Sequence, residues 1–575
     1  MADPNDSVPN AAGHRQRLWQ GHAAVVAVSL VASLPFCNKA FHVDDTLYLE
    51  IAEQILVSPL RPFDGAINWQ QVTEPAWNVS ISPPGFSYWL AGWMKLGVRG
   101  EAGLHLAGTI WLVVLALAVF AWARRLGDWP VAATCIVLLN PIVIAGQNLM
   151  LDVPMVALSV AAIAIYLRAH DRNSLILAVA AGVLAGLAAN VKYAAVVSIG
   201  VMALDALLTC RWRMLLAVAI AVAILGLGQW ASYETYGAPQ LFRARAWITH
   251  LFPSGLSDKL HRTSISVVYL GACAGWLFLI GGQFGRRAGT ALVLAAVAAV
   301  GAAGAVWDFR RAQPEPWTSE VTLAAVHTAV FAATGWLVVA WFALRLSQVA
   351  WSRRLAVFAR PRDTSQASWP FREFVMLATW TVGFWYLGAL NGPFVAPRSL
   401  LPCVVGLILG MMKLNEWLPG AGTRSRAAAV ALTAAIGLAV GVGDYEWAGI
   451  YRDGPVRLLE KYRAEGRTFF TGHWGWQYYA ESAGMLSYDP SRDELQPGDV
   501  VIYPLTVDRQ QLSRQALAGL RQIGIERVHS RRWIPRTRDS DAYISFYGDT
   551  GRGRVPWGWS RYDLLEVFVI LKFEG

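Results

Sequence analysis

The stretch MLDVPMVALSVAAIAIYLRA, Met150–Ala169, sets an acidic residue directly against a run that stays uncharged until Arg168. As a helix it would measure about 30 Å, the thickness of a bilayer's hydrocarbon core. The run is apolar on every side, which marks a span or a deeply buried helix and not an amphipathic one. Comparable runs recur from Ala23 to Val442. Composition agrees: 55% of residues are hydrophobic and only 15% charged, against roughly 25% charged in soluble domains. The reading is a polytopic α-helical membrane protein of about thirteen spans. The first lies near 18–36, later ones near 130–147, 153–168, 175–190 and 194–209, and the last near 426–443. The first is taken as a retained span, with a cleaved signal peptide as the alternative.

The net charge of +10 raises nucleic acid as a partner. Its placement argues for topology instead. Basic residues fall in every second gap: Arg15 and Arg17, Arg124 and Arg125, Arg168 and Arg172, Arg211 and Arg213, Arg286 and Arg287. Arg345, Arg353, Arg354, Arg360 and Arg362 continue the series, followed by Lys413, Arg424 and Arg426. Such alternation identifies cytoplasmic loops. It predicts a plasma (inner) membrane protein with its N-terminus in the cytoplasm. An odd span count puts the tail outside, or periplasmic. Residues 1–443 then form the transmembrane domain and 444–575 an extracytoplasmic soluble α/β domain. Cys37, Cys135, Cys210, Cys273 and Cys403 show no metal-type spacing and read as small buried side chains.

Two outward segments are long. In the first, about 38–101, Leu47, Ile51 and Ile55 give Asp45–Leu56 the spacing of an amphipathic surface helix. A second such helix follows Pro83-Pro84 with Phe86, Trp89, Leu90, Trp93 and Met94. In the tail, Val500–Leu505 and Ile525–His529 read as strands and Arg509–Leu520 as a helix. The aromatic cluster Gly472-His473-Trp474-Gly475-Trp476 is read first as core and second as a sugar-stacking face.

Asp44, Asp45, Asp152, Lys192 and Arg398 all fall at or just beyond the outer ends of spans. Charge near membrane depth usually marks function. Each also has an ordinary reading: the aspartates cap helices, and Lys192 and Arg398 snorkel to the interface. The segment 233–263 is basic against the topological trend. Its Arg243 and Arg245 suit a lipid-linked phosphate, and an ordinary solvated loop is the alternative. His250 and His261 are weak candidates for a divalent metal, since two histidines eleven residues apart specify little.

Several segments carry a resemblance. HVDDTLYLEIAEQIL, SPPGFSYWLAGWMKLG, MLDVPMVALSVAAIAIYLRA, NVKYAAVV and APRSLLP match in order and spacing the outer-face motifs of C-type glycosyltransferases. Protein O-mannosyltransferases and lipid A aminoarabinose transferases share this pattern, over roughly residues 20–420. The resemblance implies the C-type glycosyltransferase fold and a polyprenyl-phosphate sugar donor. It makes Asp44 the catalytic carboxylate, Tyr48 an aromatic one turn later and Asp152 the second outer acid. Lys192 and Arg398 become the basic positions near the lipid phosphate. The chain departs in having Asp45 where the family often has Glu. It also lacks the Glu-Lys-Pro pattern, of which Glu74-Pro75 is the nearest remnant.

That chemistry suits these residue types. A polyprenyl phosphate is already a good leaving group, so the remaining task is to deprotonate an acceptor hydroxyl as it attacks the anomeric carbon. A carboxylate does this, typically gaining 10²–10⁴-fold. The expected partners are membrane lipid, the lipid-linked donor and a glycan, lipid or protein acceptor, with no nucleic acid. The principal rival is a secondary transporter, which places its polar groups near mid-membrane. A scaffold presenting the outer tail is the third reading.

Overall fold

The computed structural model describes residues 11–251, 255–280, 288–312, 316–352, 372–417, 422–462, 465–531, 533–539, 543–548 and 555–575. Arg286, Arg287, Arg353, Arg354, Arg360 and Arg362 lie outside them.

Among the described residues, 10 helices are long and apolar enough to cross a membrane. Leu175–Val191 and Tyr193–Leu208 are shorter apolar helices, and they match the expected spans near 175–190 and 194–209. The span expected over 130–147 is broken into Pro130–Leu138 and Pro141–Ala145. Asn140 causes the break: its side chain accepts from Ile142 N at 3.0 Å and caps the second piece, which proline opens. With these three segments the count agrees with about thirteen.

The helices sort by surroundings. The window of Pro397–Asn415 is 89% buried, whereas those of Trp212–Tyr236 and Gly289–Ala312 are 17% buried. Val222, Leu227, Leu292, Val300 and Val382 are more than half exposed. A water-facing surface would not carry so much contiguous apolar area, but hydrocarbon accepts it.

Charges divide between two ends. At one, Arg125 pairs with Asp171, Arg211 Nη1 donates to His170 O at 3.1 Å and Arg426 meets Asp128 at 3.2 Å. There too Arg372 clamps Asp205 through two bonds of 2.6 and 2.8 Å. Asp152 and Arg172 terminate one helix, so Asp152 lies a full helix length from that basic end. Neither Asp205 nor Arg372 stood out in the sequence, because an isolated charge beside a basic loop looks solvated.

The two surface helices form at Asp45–Val57 and Gly85–Lys95. Both are more buried than expected, with Leu47, Ile51, Ile55, Phe86, Leu90 and Met94 in the core. The C-terminal unit covers the first, through Thr46 Oγ1 donating to Trp474 O at 2.7 Å, and the second packs against the first and against Leu175–Val191. The last long helix, Thr423–Lys461, has 39 residues, about 58 Å, roughly twice the hydrocarbon thickness. It passes unbroken through the 443/444 division. Its far half is locked to the sheet unit, with Tyr451 Oη donating to Glu566 Oε2 at 2.9 Å.

The sheet has the order Leu486–Ser487, Thr468–Phe470, Val500–Pro504, Leu564–Phe573, Leu520–His529. The first three strands are parallel and the last two antiparallel to their neighbours. The helix expected over Arg509–Leu520 is confined to Arg514–Gly519, and the chain from Leu520 joins the sheet. Trp476 is a core residue, as the first reading had it, while Trp474 is half-buried. Cys210, expected to be buried, is exposed because it lies in the turn after Leu208.

Candidate active site

Four charged side chains from distant parts of the chain meet at helix ends opposite the basic end. Arg398 Nη1 donates to Asp44 Oδ2 at 2.8 Å, and Arg398 Nε lies 4.0 Å from Asp152 Oδ2. Lys192 Nζ donates to the other oxygen, Asp152 Oδ1, at 2.6 Å. Asp152 therefore bridges the two cations, and Arg398 links the two acids.

Local structure explains each placement. Asp44 precedes the helix Asp45–Val57 but makes no side-chain cap, so its carboxylate is free for Arg398. Asp152 opens its helix, where the backbone dipole favours an anion. Lys192 ends Leu175–Val191 in an extended conformation at the pole that favours a cation. Arg398 sits in the tight turn Pro397–Leu400 before Leu401–Trp417. Its guanidinium also lies over the Phe394 ring at 5.8 Å.

Exposure separates the roles open to them. The side chains of Asp44 and Lys192 are 23% and 28% exposed, those of Asp152 and Arg398 8% and 13%. One acid and one cation are thus accessible, and the second of each holds them in place. The buried Tyr48 phenol is within electrostatic reach of Asp44, Arg398 and Asp152, and burial raises its pKa. Met150 Sδ contacts Arg398 Nη1, and Met150 also lines a cleft with Phe86, Trp111, Val153 and Pro154. Apolar walls therefore adjoin the charges.

The remaining candidates are placed elsewhere. Asp45 is fully buried beneath the site, its Oδ2 accepting from His42 N at 2.8 Å, so contact with substrate does not fit it. Burial pushes its carboxyl up to about 8. Arg243 is occupied in holding the first outer loop: it donates to Asn78 O at 3.2 Å and to Ser80 O, and lies over Trp77 at 4.6 Å. Its reach toward phosphate is spent there. Arg245 and His250 are exposed on the same helix, Gln240–Leu251. His261 Nδ1 is 2.7 Å from Asp308 Oδ2. The residues do not fit a divalent metal. Both oxygens of Asp152 face cations, and among the described residues no group of three His, Cys, Asp or Glu is arranged to hold an ion.

A family model described as dolichyl-phosphate-mannose-protein mannosyltransferase matches residues 82–229. That stretch runs from the Pro-Pro helix past Asp152 and Lys192, and it bears out the resemblance to C-type glycosyltransferases. No curated protein matches the chain. Among solved structures, ArnT from Cupriavidus metallidurans bound to undecaprenyl phosphate is 15% identical, covering 87% of this chain and 95% of that one, with a TM-score of 0.37. The oligosaccharyltransferase AglB from Archaeoglobus fulgidus, in complex with an inhibitory peptide and a dolichol-phosphate, is 14% identical. It covers 85% of this chain and 70% of that one, with a TM-score of 0.33.

Proposed function

We propose that the chain is an inverting membrane glycosyltransferase that moves a sugar from a polyprenyl-phosphate carrier to an acceptor hydroxyl at the outer face. One observation carries the reading: Asp44, Asp152, Lys192 and Arg398 form a single ion-pair chain, with one acid and one cation left accessible. The donor class follows the matched family's description, which names a sugar on a lipid phosphate.

In the proposed step the acceptor oxygen attacks the anomeric carbon and Asp44 takes its proton. The bond from that carbon to the phosphate oxygen breaks, and its electron pair leaves with the phosphate. Lys192 and Arg398 offset the charge gathering there. Asp152 acts through them as a positioning residue. A single displacement inverts the anomeric configuration and needs no covalent intermediate.

Topology supports the outer face as the place of reaction. The long first loop and the tail meet each other: Thr46 Oγ1 donates to Trp474 O at 2.7 Å, and Phe41 N donates to Tyr479 Oη at 2.8 Å. We assign 1–443 to the membrane domain and 444–575 to an extracytoplasmic unit that roofs the site. The test is Asp44→Asn assayed with a panel of polyprenyl-phosphate sugars for carrier release. The variant is expected to insert and to lose 10²–10⁴-fold in rate. Transfer at the wild-type rate would remove Asp44 as the base.

A further inference from the structure

Lys39 is the least expected side chain in the molecule. It is 1% exposed and ends among Ala145 O at 2.9 Å, Asn148 Oδ1 at 2.5 Å and Asp444 Oδ2. Asp444 is also fully buried, and accepts from Thr537 Oγ1 and Tyr547 Oη, each at 2.6 Å. Asn148 Nδ2 donates to Tyr547 Oη at 3.0 Å, and His42 Nε2 lies 3.9 Å from Asp444 Oδ1. Burial drives the His42 imidazole down to about 3, so it is neutral and adds no charge to the pair.

The connections matter more than the burial. Lys39 lies on the segment that leads into Asp44, and Asn148 on the one that leads into Asp152. Asp444 belongs to the last long helix, while Thr537 and Tyr547 belong to the tail. One ammonium thus ties both acid-bearing segments to the roof. Between Lys39 and Asp44 the backbone is also forced. Val43, a β-branched residue, has φ 50°, a conformation that persists only where surroundings impose it. The turn is closed by Asp45 N donating to His42 O at 3.1 Å and by His42 N donating to the Asp45 carboxylate.

Stability alone does not account for the pair, because replacing a buried ion pair with apolar residues of similar volume is often neutral or stabilising. We infer that Lys39 and Asp444, with Tyr547 and Asn148, are positioning residues that fix Asp44 and Asp152 relative to each other and couple that spacing to the C-terminal unit. The inference rests on the transferase reading for its consequence in rate, but not for its consequence in geometry.

The experiment compares Lys39→Met, Asp444→Leu and the double variant, each as the full chain in nanodiscs. Three readouts are taken: melting temperature, amide exchange of peptides spanning 40–48 and 147–153, and carrier release from the polyprenyl-phosphate sugar that wild type uses best. Each single variant leaves a buried charge unpaired and is expected to melt early. The double variant should recover the melting temperature while exchange in both segments stays roughly tenfold faster. Its kcat should fall roughly tenfold or more with the donor KM little changed. Wild-type exchange in both segments, with a wild-type kcat, would reduce the pair to a structural role. Should the double variant fail to fold, Tyr547→Phe removes one bond to Asp444 and makes the same comparison at lower dose. Wild-type exchange and kcat in that variant overturn the inference equally. If wild type releases no carrier from any sugar tested, the transferase reading fails, and the exchange arm still decides the positioning claim.

Discussion

Asp44 and Asp45 are neighbours in the chain with opposite surroundings. The first is partly open and paired with Arg398, and the second is fully buried against His42. Composition and spacing treat the two alike, and their partners in the fold separate them. The difference has a pH signature. The Asp45 carboxyl is raised by burial to about 8, so the folded state prefers it protonated. Its contribution to stability is complete below the ordinary carboxylate range, declines as pH rises, and is gone above about 8. Asp45→Asn has no proton to lose and still offers an oxygen to His42 N–H. Melting curves should show the variant gaining on wild type steadily from pH 4 to 8. A constant difference across that range would place the Asp45 carboxylate in a wetter site than described.

At the scale of elements, the site is a meeting of helix ends, and small residues set how closely they meet. A Cβ on Gly85 would lie 2.3 Å from Asn190 O, two residues before Lys192. The Pro-Pro surface helix therefore starts in direct contact with the turn that presents the cation. Gly85→Ala should push the two apart, costing about 1–3 kcal/mol in stability. Transfer should fall by up to roughly 10²-fold through displacement of Lys192. Gly92, on the same helix, has nothing within 4 Å of its Cβ position. Gly92→Ala should leave transfer intact and serves as the control. Equal losses in both variants would show that helix substitution, and not contact with the Lys192 turn, is responsible. Both elements were legible in the sequence, the first from its apolar spacing and the second from its prolines. Their burial was not: the tail that covers the first arrives from more than 400 residues away, as the Thr46–Trp474 bond shows, and the second packs on the first and on the helix that ends at Lys192.

For the whole molecule the governing fact is its two ends. Arg125, Arg211, Arg372 and Arg426 gather at one, and Asp44, Asp152, Lys192 and Arg398 at the other. The positive-inside rule supports the proposal that the first end faces the cytoplasm. A reporter fused after Gly575 should accordingly be active only if it functions outside. Activity of a strictly cytoplasmic reporter at that position would reverse the assignment and put the site on the inner face. The apolar spans, the strand Val500–Pro504 and the four charges that meet were legible in the chain itself, because each leaves a local or periodic trace. The sequence did not show that Asp45 is buried while Asp44 stays open, tie Arg243 to the outer loop, or reveal the Lys39–Asp444 and Asp205–Arg372 pairs. Nor did it show Leu564–Phe573 as a strand at the heart of the sheet. These were decided by tertiary structure alone, since a charge's partner and a residue's burial depend on chain brought in from far along the sequence, where no local pattern records it.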